Sequence, residues 1–171
     1  LTYSSPNVYT VGVAIGTLTP TSTGGAIASY AVSPSLPAGL TINTTTGVIT
    51  GTPSAVSSQT FYVVTGTNAS GTVTATVVMT VENPPPPPAG LTYTSPNVYT
   101  VGVAIGTLTP TSTGGAIASY AVSPSLPAGL TINTTTGVIT GTPSAVSTQT
   151  SYVVTGTNAS GTVTATVVMT V

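Results

Sequence analysis

The chain carries one sequence twice. Residues 1–81 return as residues 91–171 at a constant offset of 90, and only three positions differ: Ser4 against Thr94, Ser58 against Thr148, and Phe61 against Ser151. A solenoid repeat runs to about 20–50 residues, so a unit of this length is too long to be one turn of a solenoid. Each copy is expected to be a whole domain, with domains at 1–81 and 91–171 and a joint at 82–90. A unit of this size can bury a modest core without a disulfide or a metal.

Neither copy contains lysine, arginine, histidine or cysteine, and the one acidic side chain is Glu82, in the joint. Without basic residues the chain lacks the contacts that release counterions from phosphates, which argues against nucleic acid as a partner. It also lacks the polybasic route to an anionic membrane surface. Apolar runs such as Val11–Ile15 and Val77–Met79 fall far short of the roughly 20 residues that span a bilayer, so no membrane insertion is expected. The polar fraction is mostly hydroxyl, with 40 threonines and 19 serines. A net charge of −1 removes colloidal repulsion, and strands without charged gatekeepers are free to pair edge to edge. Further copies of the same chain are therefore the first expected partner.

No stretch shows sustained helical periodicity, while Thr and Val alternate openly, so the fold class is all-β. In Thr72–Val81 the residues Val73, Ala75, Val77, Met79 and Val81 face one way and the threonines the other, the pattern of a strand with one buried face. It pairs with Gln59–Thr67 across the turn Asn68-Ala69-Ser70-Gly71. The change from Phe61 to Ser151 sets the facing of that second strand. A core aromatic would lose roughly 3 kcal/mol or more on such truncation, so Phe61 is placed outward and Tyr62 and Val64 inward. Further strands are expected at Ile27–Val32, Gly39–Ile42 and Val48–Thr50, with N-terminal candidates at Leu1–Ser4, Val8–Val13 and Thr17–Thr21. About seven short strands per copy, with turn signals every 8–12 residues, indicate an immunoglobulin-like β-sandwich. Tyr62, near the start of the penultimate strand, is a candidate for a hydroxyl bonded to nearby backbone; a core tyrosine with its hydroxyl at the rim fits equally well.

The run Leu36-Pro37-Ala38-Gly39-Leu40-Thr41-Ile42-Asn43, followed by Thr46-Gly47-Val48-Ile49-Thr50-Gly51-Thr52-Pro53, resembles the Putative Ig domain family, a cadherin-like tandem repeat of bacterial secreted and surface proteins. The hairpin sequence from Tyr62 to Val81 resembles the C-terminal strands of the same family, so the likeness covers most of each copy. The resemblance implies tandem modules in large extracellular or cell-surface proteins, with structural or adhesive roles. Asn43 stands where relatives often carry Asp, a departure that weakens any implication of calcium.

The joint is Glu82-Asn83 followed by five prolines, Ala89 and Gly90. Polyproline II rises about 3.1 Å per residue, so the prolines read as a semi-rigid spacer of roughly 15 Å. Two near-identical copies across such a joint are expected to be a stretch of a longer array.

Chemistry is limited by inventory. With no His, Cys or Lys and one carboxylate in the joint, no catalytic residue is assigned, because no side chain inside either domain can exchange a proton near neutral pH. No cofactor or metal site is assigned either, since calcium wants several oxygen ligands including carboxylates. Binding of a glycan or surface protein would fall to exposed aromatic faces, for which Tyr9, Tyr99 and Phe61 are the candidate contacts. Asn43, Asn68, Asn133 and Asn158 each open an Asn-X-Ser/Thr acceptor pattern in a turn and are candidate glycosylation sites. The sequence thus points to a non-catalytic structural module of an extracellular stalk or filament, with an adhesive module as the alternative.

Overall fold

A computed structural model describes residues Leu1–Val171. It is built of strands and turns, with no helix, and no helix long and apolar enough to cross a membrane is present. The chain divides into two units, Leu1–Pro84 and Pro85–Val171.

In the first unit the strands are β1 (Asn7–Thr10), β2 (Ser29–Ser33), β3 (Leu40–Ile42), β4 (Ile49–Gly51), β5 (Ser57–Asn68) and β6 (Gly71–Glu82). The Thr/Val alternation becomes the β5–β6 hairpin, in antiparallel register from Asn68 opposite Gly71 to Thr60 opposite Met79. Asn68 closes the turn by accepting a bond from the Ser70 amide on its Oδ1. The sheet runs in the order β1-β6-β5-β2, with β1 parallel to β6. The second layer is the antiparallel β3–β4 pair, to which Leu18 adds a bridge at Ile49. Tyr62, Val64, Val77 and Met79 from the large sheet close on Leu18, Leu40 and Ile49 from the small one. Alternate residues of a pleated strand face opposite sides, so the same alternation that predicts the strands also fills the core.

The second unit repeats this plan with β8 (Asn97–Val98), β10 (Ser119–Ser123), β11 (Leu130–Ile132), β12 (Ile139–Gly141), β13 (Thr150–Asn158) and β14 (Gly161–Thr170). It adds β7 (Pro88–Thr92) and β9 (Thr111–Gly114), which pair with each other in antiparallel fashion. The strand count is therefore six in the first unit and eight in the second.

Several sequence expectations shift. The strands expected at Leu1–Ser4 and Thr17–Thr21 reduce in the first unit to single bridges, Thr2 with Thr21 and Leu18 with Ile49. The strand expected at Val8–Val13 ends at Thr10, where the Val13 amide turns back onto the Thr10 carbonyl. The strand expected at Ile27–Val32 runs from Ser29 to Ser33, with the Ala28 amide still bonded to the Thr67 carbonyl and Ile27 packed over Gly66, where an added Cβ would lie 2.8 Å from its Cδ1.

The joint also differs from a free nine-residue spacer. Glu82 is the last residue of β6, and Pro88–Gly90 lie in β7. Pro85, Pro86 and Pro87 are hydrogen-bonded to the second unit. Asn83 and Pro84 are what remains between them. Proline lacks the amide donor, but its carbonyl is a full acceptor, and each of these bonds uses a carbonyl.

Candidate interaction surfaces

The outward face of β5 presents an apolar row among hydroxyls. Phe61 is 63% exposed and Val63 is 40% exposed, while Tyr62 and Val64 between and beside them are buried. Phe61 stands directly opposite Val78 of β6, so the aromatic extends an uncharged surface of threonine and valine. In the second unit Ser151 takes its place opposite Val168, and Val153 keeps the exposure of Val63. Such a face can be covered without desolvating a charge, which lowers the cost of association.

Tyr9 and Tyr99 are partly buried and packed against the two cores. Burial raises the pKa of both hydroxyls above the ordinary tyrosine value. Both rings are thus partly buried against the cores where the sequence reading places exposed aromatic faces.

A structural hydroxyl that sequence reasoning missed belongs to Tyr3. Its hydroxyl donates to the Gly47 carbonyl at 2.7 Å, and Tyr93 makes the same bond to Gly137. The backbone-bonded tyrosine sought at Tyr62 is thus at Tyr3, 44 positions from its partner; the Tyr62 ring belongs to the core. Burial, with Tyr30 adding a smaller repulsion, pushes the Tyr3 hydroxyl up to about 12, and burial likewise raises Tyr93. A tyrosine whose folded pKa lies above its unfolded value contributes stability that is complete below the unfolded pKa of 10.0 and is lost as pH climbs through the folded value. The melting temperature should therefore stay flat from about pH 5 to 9, where no side chain titrates, and fall between about pH 10 and 12. Calorimetry across that range checks it, and a marked fall before pH 9 would contradict it.

The asparagine turns separate into two kinds. Asn43 accepts the Thr45 and Thr46 amides on Oδ1, both at 2.9 Å, and Asn133 does the same at its own turn. Both side chains shape a turn, and both residues are exposed. Asn68 instead donates its Nδ2 to the Ala26 carbonyl. Asn158 donates its Nδ2 to both Ala116 and Pro86. A host that glycosylates secreted proteins is expected to modify Asn43 and Asn133 well ahead of Asn158, and peptide mapping after expression would show the order. Modification at Asn158 above Asn43 would contradict it. No cluster of three or more His, Cys, Asp or Glu side chains is present to hold a metal ion.

The Putative Ig domain model matches residues 2–82 and again residues 80–171. The chain belongs to that family. Its two Ig-like domains follow each other in tandem, and the sandwich read from the strand pattern is the family's fold. No curated protein matches the chain. Among solved structures, a chimeric titin Z1Z2 functionalized with an exogenous peptide from decorin is similar at 19% identity and a TM-score of 0.44, over 98% of this chain and 94% of that one. Murine CEACAM1b is similar at 15% identity and a TM-score of 0.45, over 94% and 92%. A SusE-like surface located polysaccharide binding protein from Bacteroides thetaiotaomicron is similar at 22% identity and a TM-score of 0.39; the alignment covers 99% of this chain and 33% of that protein.

Proposed function

We propose that the chain is a non-catalytic structural module of an extracellular stalk or filament, in which Ig-like domains serve as spacers and associate with further copies through their uncharged faces. The observation that supports this reading is the near-perfect duplication of a domain without a single basic, imidazole or thiol side chain. Such a domain has no basic, imidazole or thiol group to activate a hydroxyl, and the chain's one carboxylate, Glu82, stands alone at the end of β6. It does offer the exposed Phe61–Val63 row and hydroxyl-rich strands, surfaces that pack against like surfaces at little electrostatic cost. Membership of a family of tandem Ig-like repeats fits a cell-surface or secreted setting.

Negative-stain electron microscopy of the concentrated chain tests it, with sedimentation velocity alongside. Ordered fibres with an axial repeat of one or two domains are the expected result; dispersed monomers at high concentration would remove self-association from the reading. The adhesive alternative makes a different prediction, binding to a glycan array that is abolished by changing Tyr9 and Tyr99 together.

A further inference from the structure

The two domains share every residue at one place where their surroundings differ. In the second, Pro85–Ala89 lies across the turn between β13 and β14. Asn158 Nδ2 donates to the Pro86 carbonyl at 2.8 Å, the Gly115 amide to the Pro87 carbonyl at 3.0 Å, and the Ser160 hydroxyl to the Pro85 carbonyl. Pro88 and Ala89 then pair with Gly114 and Thr113, and Pro88 is buried. The first domain keeps the same donors at Asn68, Gly25 and Ser70. There they line a cleft of about 230 Å³ that also includes Ser22, Thr23 and Val73. A smaller cleft of about 100 Å³ shares Ser22 and Thr23 and continues it to Leu1.

Exposure follows this difference residue by residue. Gly25 is exposed and Gly115 is buried; Val73 is 41% exposed while its counterpart Val163 is packed against the core. Leu1 is partly buried, whereas Leu91 is 4% exposed and joins the core. Thr111–Gly114 forms a strand only where the proline segment supplies its partner; Thr21–Gly24 makes one bridge. The cleft's chemistry also selects its occupant. Asn68 Nδ2, the Gly25 amide and the Ser70 hydroxyl are donors, and a run of prolines is a row of carbonyls with no competing amide hydrogens, preset in the extended conformation. Glycine at position 25 keeps the floor open: at the equivalent Gly115 a Cβ would lie 1.8 Å from the Pro86 oxygen.

We propose that the cleft at the β5–β6 turn of the first domain is a binding site for an extended proline-rich segment with the sequence of Pro85–Gly90. The occupant is an array joint of that sequence, which adds a short strand along Thr21–Gly24 by edge pairing. The inference rests on the matched donors and does not depend on the extracellular or filament reading.

The test adds the nine residues of Glu82–Gly90 ahead of Leu1 in the full chain and follows amide hydrogen exchange by NMR. The Gly25 and Thr23 amides are expected to gain about tenfold or more in protection, approaching Gly115 and Thr113. The change Gly25→Ala in the extended chain should return Thr23 to the level of the unextended protein. Unchanged protection at Gly25 and Thr23, or a gain that survives Gly25→Ala, would overturn the proposal. Normal spectra of the second domain in the same samples serve as the folding control.

Discussion

Replacing Gly39 with alanine is expected to unfold the first domain at temperatures where the second stays intact. Gly39 sits at a φ of 92°, and a Cβ there would lie 2.0 Å from the Thr52 carbonyl oxygen. Its partner across the close approach, Gly51, sits at a φ of 132° with the Gly39 oxygen 2.1 Å from where a Cβ would be. The left-handed backbone alone costs an alanine about 1–2 kcal/mol. The overlap is with backbone, so it cannot be relieved by turning a side chain. It must push apart the Thr52 amide and Gly39 carbonyl, bonded at 3.1 Å, and the register of Leu40 against Gly51 with them. A total loss of at least about 3 kcal/mol follows. A domain of this length holds about 4–12 kcal/mol in all. The second copy, with Gly129 untouched, is the internal reference. Calorimetry should show one transition moved down and one unmoved; a single transition at the parent temperature would contradict the assignment.

A second large effect separates neighbours in the chain. Tyr62→Ser is expected to cost about 3–5 kcal/mol, because the ring is 3% exposed and packs with Val64, Val77 and Met79. Phe61→Ser, one residue earlier, should change stability by no more than about 0.5 kcal/mol, since its ring is 63% exposed. The second domain already carries serine there, at position 151. Urea titration of the two variants gives both numbers. Comparable losses at positions 61 and 62 would mean that the facing of β5 is wrong.

Much of this architecture can be read in the residues, and the boundary of what can be read is physical. The β5–β6 hairpin is visible because period-two alternation is local, and the Phe61–Ser151 difference fixes its facing without any structure. The pairing of Gly39 with Gly51 appears in the sequence only as a motif; the close approach that explains it brings together residues 12 positions apart. Tyr3 escaped because its partner Gly47 is 44 residues away and a carbonyl leaves no mark in a sequence. The proline joint reads in the sequence as an extended spacer. The extended rise of its prolines supplies that reading, while the three carbonyls that dock on Ser160, Asn158 and Gly115 are equally present in the same letters.

The pairing of β1 with β6 bears on how a domain answers a pull. The two strands are parallel, from Asn7 beside Met79 to Thr10 beside Glu82, and the Val11 amide bonds the Glu82 carbonyl beyond them. Tension on the two ends of the first domain draws β1 toward its start and β6 toward its end, so the strands slide past each other and the bonds between them carry load side by side. An antiparallel pair pulled from its open end would yield one bond at a time. In the second domain β8 and β14 are parallel in the same sense, with Asn97 beside Met169, Val98 beside Thr170 and the Tyr99 amide bonded to the Thr170 carbonyl, so the same loading geometry recurs.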